Sequence, residues 1–98
     1  MTGGAKLGAI LRRMTQGATE RPKATILSRG LKVAVRRRRD DRVEISLTRE
    51  GDVGPSHAEA QAVIDALGWG TAYSEETKTR TGKPCIVIHE GARLIDGK

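Results

Sequence analysis

Residues 31–48 have the sequence LKVAVRRRRDDRVEISLT, in which two runs of alternating apolar and polar residues flank a charged segment. Every second residue of each run is apolar: Leu31, Val33 and Val35, then Val43, Ile45 and Leu47. Because successive side chains of a strand point to opposite faces of a sheet, this period of two predicts two strands that each bury one face. The stretch therefore predicts an antiparallel β-hairpin.

The parity of the apolar positions predicts the register of this hairpin. All of them are odd-numbered and paired residues share a face, so the numbers of paired residues must add to an even value. Pairs that add to 80 place Arg36 opposite Glu44, whereas pairs that add to 78 place Arg36 opposite Arg42. Opposite charges across a strand pair contribute roughly 0.2–1 kcal/mol and like charges destabilise it. We therefore predict the first register, with residues 39–41 as the loop.

Downstream of the hairpin, the sequence predicts a helix that begins after Ser56 and ends before Gly68. Ser56 and Glu59 have the spacing of a capping box, in which each side chain accepts a hydrogen bond from the other residue's amide. Gly68 suits the left-handed conformation that ends many helices. Apolar residues form one stripe along this helix: Ala60, Val63, Ile64 and Leu67.

A second strand pair is predicted at residues 71–79 and 84–90, joined by a two-residue turn at Thr81 and Gly82. This turn would place four residues on one face: Tyr73, Thr77, Ile86 and Ile88. The resulting order is β-β-α-β-β, with an additional edge strand predicted at residues 24–28. It indicates an α+β fold, a small antiparallel sheet with one main helix packed on one face.

Residues 1–25 are predicted to form a basic, flexible N-terminal tail ahead of an α+β domain at residues 26–98. Several glycines weaken a helix here, and Pro22 closes the segment. Four apolar residues nevertheless fall on one face of a short helix of about two turns: Leu7, Ile10, Leu11 and Met14. Two interpretations stay open, namely that this helix packs on the domain or that it folds against a partner.

Charge is distributed unevenly along the 98 residues. The net charge is +6, but residues 1–42 contain 12 basic and 3 acidic residues and so carry +9, while the remainder carries −3. Hydrophobic residues make up 37% of the chain and aromatic residues 2%, which limits it to one small core. The basic front half predicts an anionic partner, either a nucleic acid or an acidic protein surface.

The basic residues in and around the first hairpin are the predicted nucleic-acid site: Arg29, Lys32, Arg36, Arg37, Arg38, Arg39 and Arg42. A guanidinium donates two parallel hydrogen bonds to phosphate, and each neutralised phosphate releases counterions. Trp69 and Tyr73, predicted to be core or helix-end residues, leave no aromatic ring for base stacking. The expected ligand is therefore the phosphate backbone of duplex DNA or structured RNA.

An alternative function is a protein-interaction module or regulator, which docks through its N-terminal apolar residues and grips an acidic surface with the hairpin. The docking residues would be Leu7, Ile10, Leu11 and Met14. In this interpretation the N-terminal helix folds against the partner.

No arrangement of residues predicts an enzyme, so we expect no catalytic residue, no cofactor and no metal. Cys85 and His89 share a strand face, but four residues of strand span roughly 13 Å, too far for two ligands that must each lie about 2.0–2.3 Å from one zinc ion. The single cysteine and the absence of a secretory apolar region predict a cytoplasmic protein. No apolar run approaches the roughly 18 residues of a membrane span, so no membrane contact is expected.

Overall fold

Five strands form one antiparallel sheet in the computed structural model, which describes residues 2–27, 30–50 and 53–91, with side chains from residue 8 onward. The spatial order of the strands is β1-β2-β3-β5-β4, and every neighbouring pair is antiparallel. The elements in chain order are α1 (Thr2–Gln16), β1 (Lys23–Ile26), β2 (Leu31–Arg37), β3 (Val43–Arg49), α2 (His57–Leu67), β4 (Tyr73–Lys78) and β5 (Pro84–His89). This is the α+β fold that the sequence predicts, and it includes the additional edge strand, as β1.

The predicted register of the first hairpin is confirmed. Val35 pairs with Ile45, and Arg36 pairs with Glu44. The amide of Arg38 donates to the carbonyl of Arg42 over 2.8 Å, which leaves a three-residue loop at residues 39–41. Asp41 ends this loop in the left-handed region with φ 71°, the conformation that three-residue hairpin loops require at that position.

The core lies between one sheet face and the two helices. It contains alternate residues of β2, β3 and β5 and the apolar side of both helices: Leu11, Leu31, Val33, Val35, Val43, Ile45, Leu47, Ala60, Val63, Ile64, Ile86 and Ile88. Trp69 packs against this cluster from the end of α2 and is partly buried. The sheet face that the alternation predicts to be apolar is therefore the face that the helices cover.

The ends of α2 have the predicted caps. The hydroxyl of Ser56 accepts a hydrogen bond from the amide of Glu59, and the Glu59 carboxylate accepts one from the Ser56 amide over 2.9 Å. Gly68 ends the helix with φ 73°. Glu59 also forms an ion pair with Arg49 at the end of β3, so the start of α2 is tied to the sheet.

The register of the second hairpin differs from the prediction. Thr79 donates its amide to Lys83 over 2.8 Å, so the loop is residues 80–82 and Gly82, with φ 88°, is its third residue. The prediction of a two-residue turn at Thr81 and Gly82 is wrong, because the glycine supplies the left-handed end of a three-residue loop instead. The register shifts by one, and the face prediction fails with it: Tyr73 and Thr77 lie on the face opposite to Ile86 and Ile88.

The N-terminal helix α1 is longer than the two predicted turns and packs on the domain. Leu11 is fully buried in the core, and Met14 is partly buried against it. Gly8 lies close to α2, since a Cβ at this position would approach the carbonyl oxygen of Ala66 to 3.1 Å. Burial and close helix packing thus offset the helix-weakening effect of the glycines. Over residues 2–16, a helix that shares the core replaces the expected flexible tail.

Neither helix of the described residues combines the length and the apolar character that a bilayer span requires.

We predict that Leu11→Ala lowers the free energy of unfolding by about 2–5 kcal/mol, because the substitution leaves a cavity in the shared core. Urea denaturation measures the change. The matched control is Ile10→Ala on the same helix turn, where the side chain is 41% exposed and the expected change is about 0.5 kcal/mol or less. Equal and small changes for both variants would show that α1 does not share the core.

Candidate nucleic-acid interface

The β2–β3 loop places a group of arginines at one end of the sheet. We call residues 38–42 the hairpin tip. Arg38 and Arg39 are exposed, and Arg42 is half-buried. A shallow depression beside the tip is lined by Glu20, by the four consecutive arginines at positions 36–39 and by Asp40. The geometry therefore presents guanidinium groups to solvent outside the packed core.

Three of these arginines form ion pairs with neighbouring carboxylates, and the pairs of Arg36 and Arg38 are the more exposed on the arginine side. Arg36 Nε donates to Glu44 Oε1 over 2.8 Å across the strand pair, as the register predicts. Arg38 Nη2 lies 3.4 Å from Asp40 Oδ2 within the loop. The side chains of both arginines keep more than a third of their surface exposed. Exposed ion pairs of this kind contribute about 0–1 kcal/mol, so a phosphate can replace the carboxylate as the partner of the guanidinium.

Arg37 has a structural role that its place in the arginine run does not indicate. Its Nε donates to the carbonyl of Ala18, its Nη2 to that of Thr15 and its Nη1 to that of Asp41, over 3.2, 3.0 and 3.0 Å. As an odd-numbered residue of β2, Arg37 lies on the helix-covered face of the sheet. The guanidinium joins the C-terminal end of α1 to the hairpin tip. A cation at this end of a helix also interacts favourably with its dipole.

The two aspartates of the loop lower the charge of the tip and fix its shape. Asp40 Oδ1 accepts a hydrogen bond from the Arg42 amide over 3.1 Å. This bond, together with the nearby guanidiniums of Arg38 and Arg42, lowers the pKa of Asp40 below its ordinary value. Asp40 is therefore ionised at neutral pH and competes with any anion that approaches Arg38.

Arg39 is the arginine of the tip that is most available to a ligand. Its side chain is exposed and makes no hydrogen bond or ion pair with the described residues. Lys32 is also exposed and lies on the same sheet face as Arg36. Arg29, which the sequence includes in the site, lies outside the described residues.

The residues of the predicted protein-docking segment differ in how deeply they are buried. Leu11 is buried in the core, Met14 is half-buried, and Ile10 is exposed. Leu7 belongs to α1, with its side chain outside the described part of the chain. The burial of Leu11 removes it from any surface that a partner could contact while the domain stays folded.

Tyr73 is a surface residue that the sequence analysis assigned to the core. It is 55% exposed, and its ring stacks on His89 with centroids 4.8 Å apart and an angle of 23° between the planes. The one-residue error in the second hairpin caused this mistake. The signal that could have placed Tyr73 correctly is Gly82. If this glycine is read as the third residue of a three-residue loop, the register shifts by one and Tyr73 lies on the other face of the sheet.

No cluster of metal ligands occurs among the residues that the structure describes. Cys85 is buried, and burial raises the pKa of its thiol. The thiol is accordingly protonated at neutral pH, which makes it a poor nucleophile and a poor metal ligand.

Comparison of the chain with protein-family models, with curated proteins and with solved structures finds no match.

We predict that Arg37→Ala lowers the free energy of unfolding by about 1.5–3 kcal/mol, because three backbone carbonyls lose the charged donor that they share. The control is Arg38→Ala, which removes only an exposed ion pair and should change the free energy of unfolding by about 0.5 kcal/mol or less. Urea denaturation distinguishes the two. An Arg37→Ala variant as stable as the parent would rule out a structural role for this side chain.

The raised pKa of Cys85 gives a second prediction for this region. At neutral pH, the native protein should react with an aromatic disulfide reagent at least about tenfold more slowly than the urea-unfolded chain, since both burial and protonation protect the thiol. The rate should rise as the pH increases towards the pKa of the thiol. Equal rates for the native and unfolded protein would contradict the buried, protonated assignment.

Proposed function

We propose that the protein binds the phosphate backbone of duplex DNA or structured RNA through the hairpin tip, without catalysis and in the cytoplasm. The observation that carries the proposal is the exposed position of Arg38 and Arg39 on the hairpin tip, beyond the paired residues of β2 and β3. A narrow loop of this kind can approach a backbone or enter a groove. Guanidiniums are the side chains best suited to bidentate contact with phosphate.

The contacts of the arginines support this proposal with a smaller set of phosphate-binding residues than the arginine run alone suggests. Five arginines between positions 36 and 42 face three carboxylates: Asp40, Asp41 and Glu44. Arg37 becomes a positioning residue, because its donors bind backbone carbonyls. The proposed contact residues are Arg36, Arg38, Arg39 and Arg42, together with Lys32 further along the same face of β2 and with Arg29, which the sequence analysis includes in the site.

The alternative, a module that docks on protein through its N-terminal segment, has weaker support. Among the side chains of that face that the structure describes, Leu11 is buried, Met14 is half-buried and Ile10 is exposed. One exposed isoleucine is an ordinary surface feature and does not by itself indicate an interface.

The test is the double substitution Arg38→Ala and Arg39→Ala, with binding to labelled duplex DNA and to an RNA hairpin followed by fluorescence anisotropy at several salt concentrations. Each lost phosphate contact should reduce the slope of log affinity against log salt by about 0.9, so we expect a reduction of roughly 2 and weaker binding to every sequence.

The matched control removes the same charge from the other hairpin, by the double substitution Lys78→Ala and Arg80→Ala. Arg80 is the first residue of its three-residue loop, as Arg39 is of its own, and both control side chains are exposed. This variant should keep most of the parent's affinity. If the two double variants lose affinity equally, diffuse net charge and not the hairpin tip holds the nucleic acid.

A further inference from the structure

The face of the sheet opposite to the core carries neither of the two described helices. Both pack against the other face, through the core that contains Leu11 and Val63. We call this second surface the open face. Strand pairing arranges its residues in rows, and the row nearest the hairpin tip is Arg36, Glu44, His89 and Tyr73. An aromatic pair and an arginine thus lie in one row, at the same end of the sheet as the tip.

The Tyr73 ring is held in place and accessible at the same time. It stacks on His89, whose side chain is 14% exposed, while Tyr73 itself is 55% exposed. The two residues are direct partners across β4 and β5, so the backbone ladder fixes the distance between them. Aromatic rings held in this way on an open sheet are the surfaces on which unpaired nucleic-acid bases stack.

The positive groups near this row lie on the side of the hairpin tip. Arg36 is three strands away from Tyr73, which corresponds to about 14 Å at the usual spacing between strands. Arg36 lies two positions before the first residue of the tip, and Lys32 lies further from the tip along the open face of β2. A nucleic-acid strand with its phosphates at the tip can therefore place on the ring a base that lies a few nucleotides further along the strand.

Glu75 determines which part of a nucleotide can approach Tyr73. It follows two residues later on the same face, is 65% exposed, and its Oε1 lies 3.1 Å from His89 Nε2. A carboxylate repels phosphate, but it accepts a hydrogen bond from the exocyclic amino group of a base such as cytosine. Uracil and thymine lack that donor. The charge pattern thus directs phosphate towards Arg36 and the base towards Tyr73.

We propose that Tyr73, supported by His89, forms a stacking platform for one unpaired base of a nucleic acid whose phosphates contact the hairpin tip. This inference rests on the proposed function and adds an unpaired base to its ligand, either in the loop of a structured RNA or in a single strand that the tip also contacts. Glu75 gives the platform a preference for cytosine over uracil.

The experiment compares the parent with Tyr73→Ala, by fluorescence anisotropy, on labelled oligocytidylate and oligouridylate of about ten nucleotides, the deoxycytidine oligomer and a short duplex. Loss of a stacked base should weaken binding to both cytosine oligomers by about 5- to 150-fold, equivalent to roughly 1–3 kcal/mol. Binding to the duplex and the salt dependence should stay unchanged, because no phosphate contact is lost.

Four further variants test whether the effect is specific to the ring and whether Glu75 sets the base preference. Tyr73→Phe keeps the ring and should bind as the parent does, whereas Tyr73→Leu keeps apolar volume without a ring and should bind as Tyr73→Ala does. Ile26→Ala is the matched surface control, since Ile26 is an exposed apolar residue on the open face at the opposite edge. It should have no effect. Glu75→Gln should reduce the preference for cytosine over uracil.

The outcomes separate this inference from the proposed function. If Tyr73→Ala and Tyr73→Leu bind single strands as tightly as the parent, while the double substitution at Arg38 and Arg39 still weakens binding, the platform is wrong and the tip proposal stands. If Tyr73→Ala weakens duplex binding to the same degree, the platform is also wrong. If the parent binds none of the four probes, the platform is overturned, and if it also fails to bind the RNA hairpin, the tip proposal is overturned with it.

Discussion

The structure depends on the pairing of β2 with β3 through a three-residue loop. Because the loop length fixes an even register, the odd residues of the two strands lie on the core face of the sheet and the even residues lie on the open face. The same constraint divides four consecutive arginines. Arg36 reaches Glu44 on the open face, Arg37 turns towards α1, and Arg38 and Arg39 extend beyond the ladder. Identical residues thus acquire different roles from backbone geometry alone.

The sequence was sufficient to predict strand register where the alternation of apolar residues is strong. The first hairpin has three apolar positions on each strand, so parity limits its register to even sums, and the opposite charges of Arg36 and Glu44 select the register that is observed. The caps of α2 were equally predictable, since Ser56, Glu59 and Gly68 act within a few residues of one another. Local chemistry of this kind is visible in the sequence because it does not depend on distant contacts.

The errors arose where tertiary contacts decide the outcome. Strand β4 has the sequence YSEETK, which shows no alternation of apolar residues. The turn was therefore placed from Gly82 and its neighbour alone, and Tyr73 was assigned to the wrong face of the sheet. The length of α1 depends on the burial of Leu11 and on the approach of Gly8 to α2, which helix propensity does not include. The same limit applies to Arg37, because its partners Thr15 and Ala18 are about twenty residues distant in sequence.

The strand order also determines which strands could pair with a strand of a second molecule. Strands β1 and β4 are the two edges of the sheet, and an unpaired edge is a template for pairing with another chain. Edge β4 carries Glu75, Glu76 and Lys78, while β1 has only four residues and follows Pro22. Charge at one edge and shortness at the other are features that oppose such pairing. One face of the sheet can consequently stay uncovered while the edge strands still oppose pairing with other molecules.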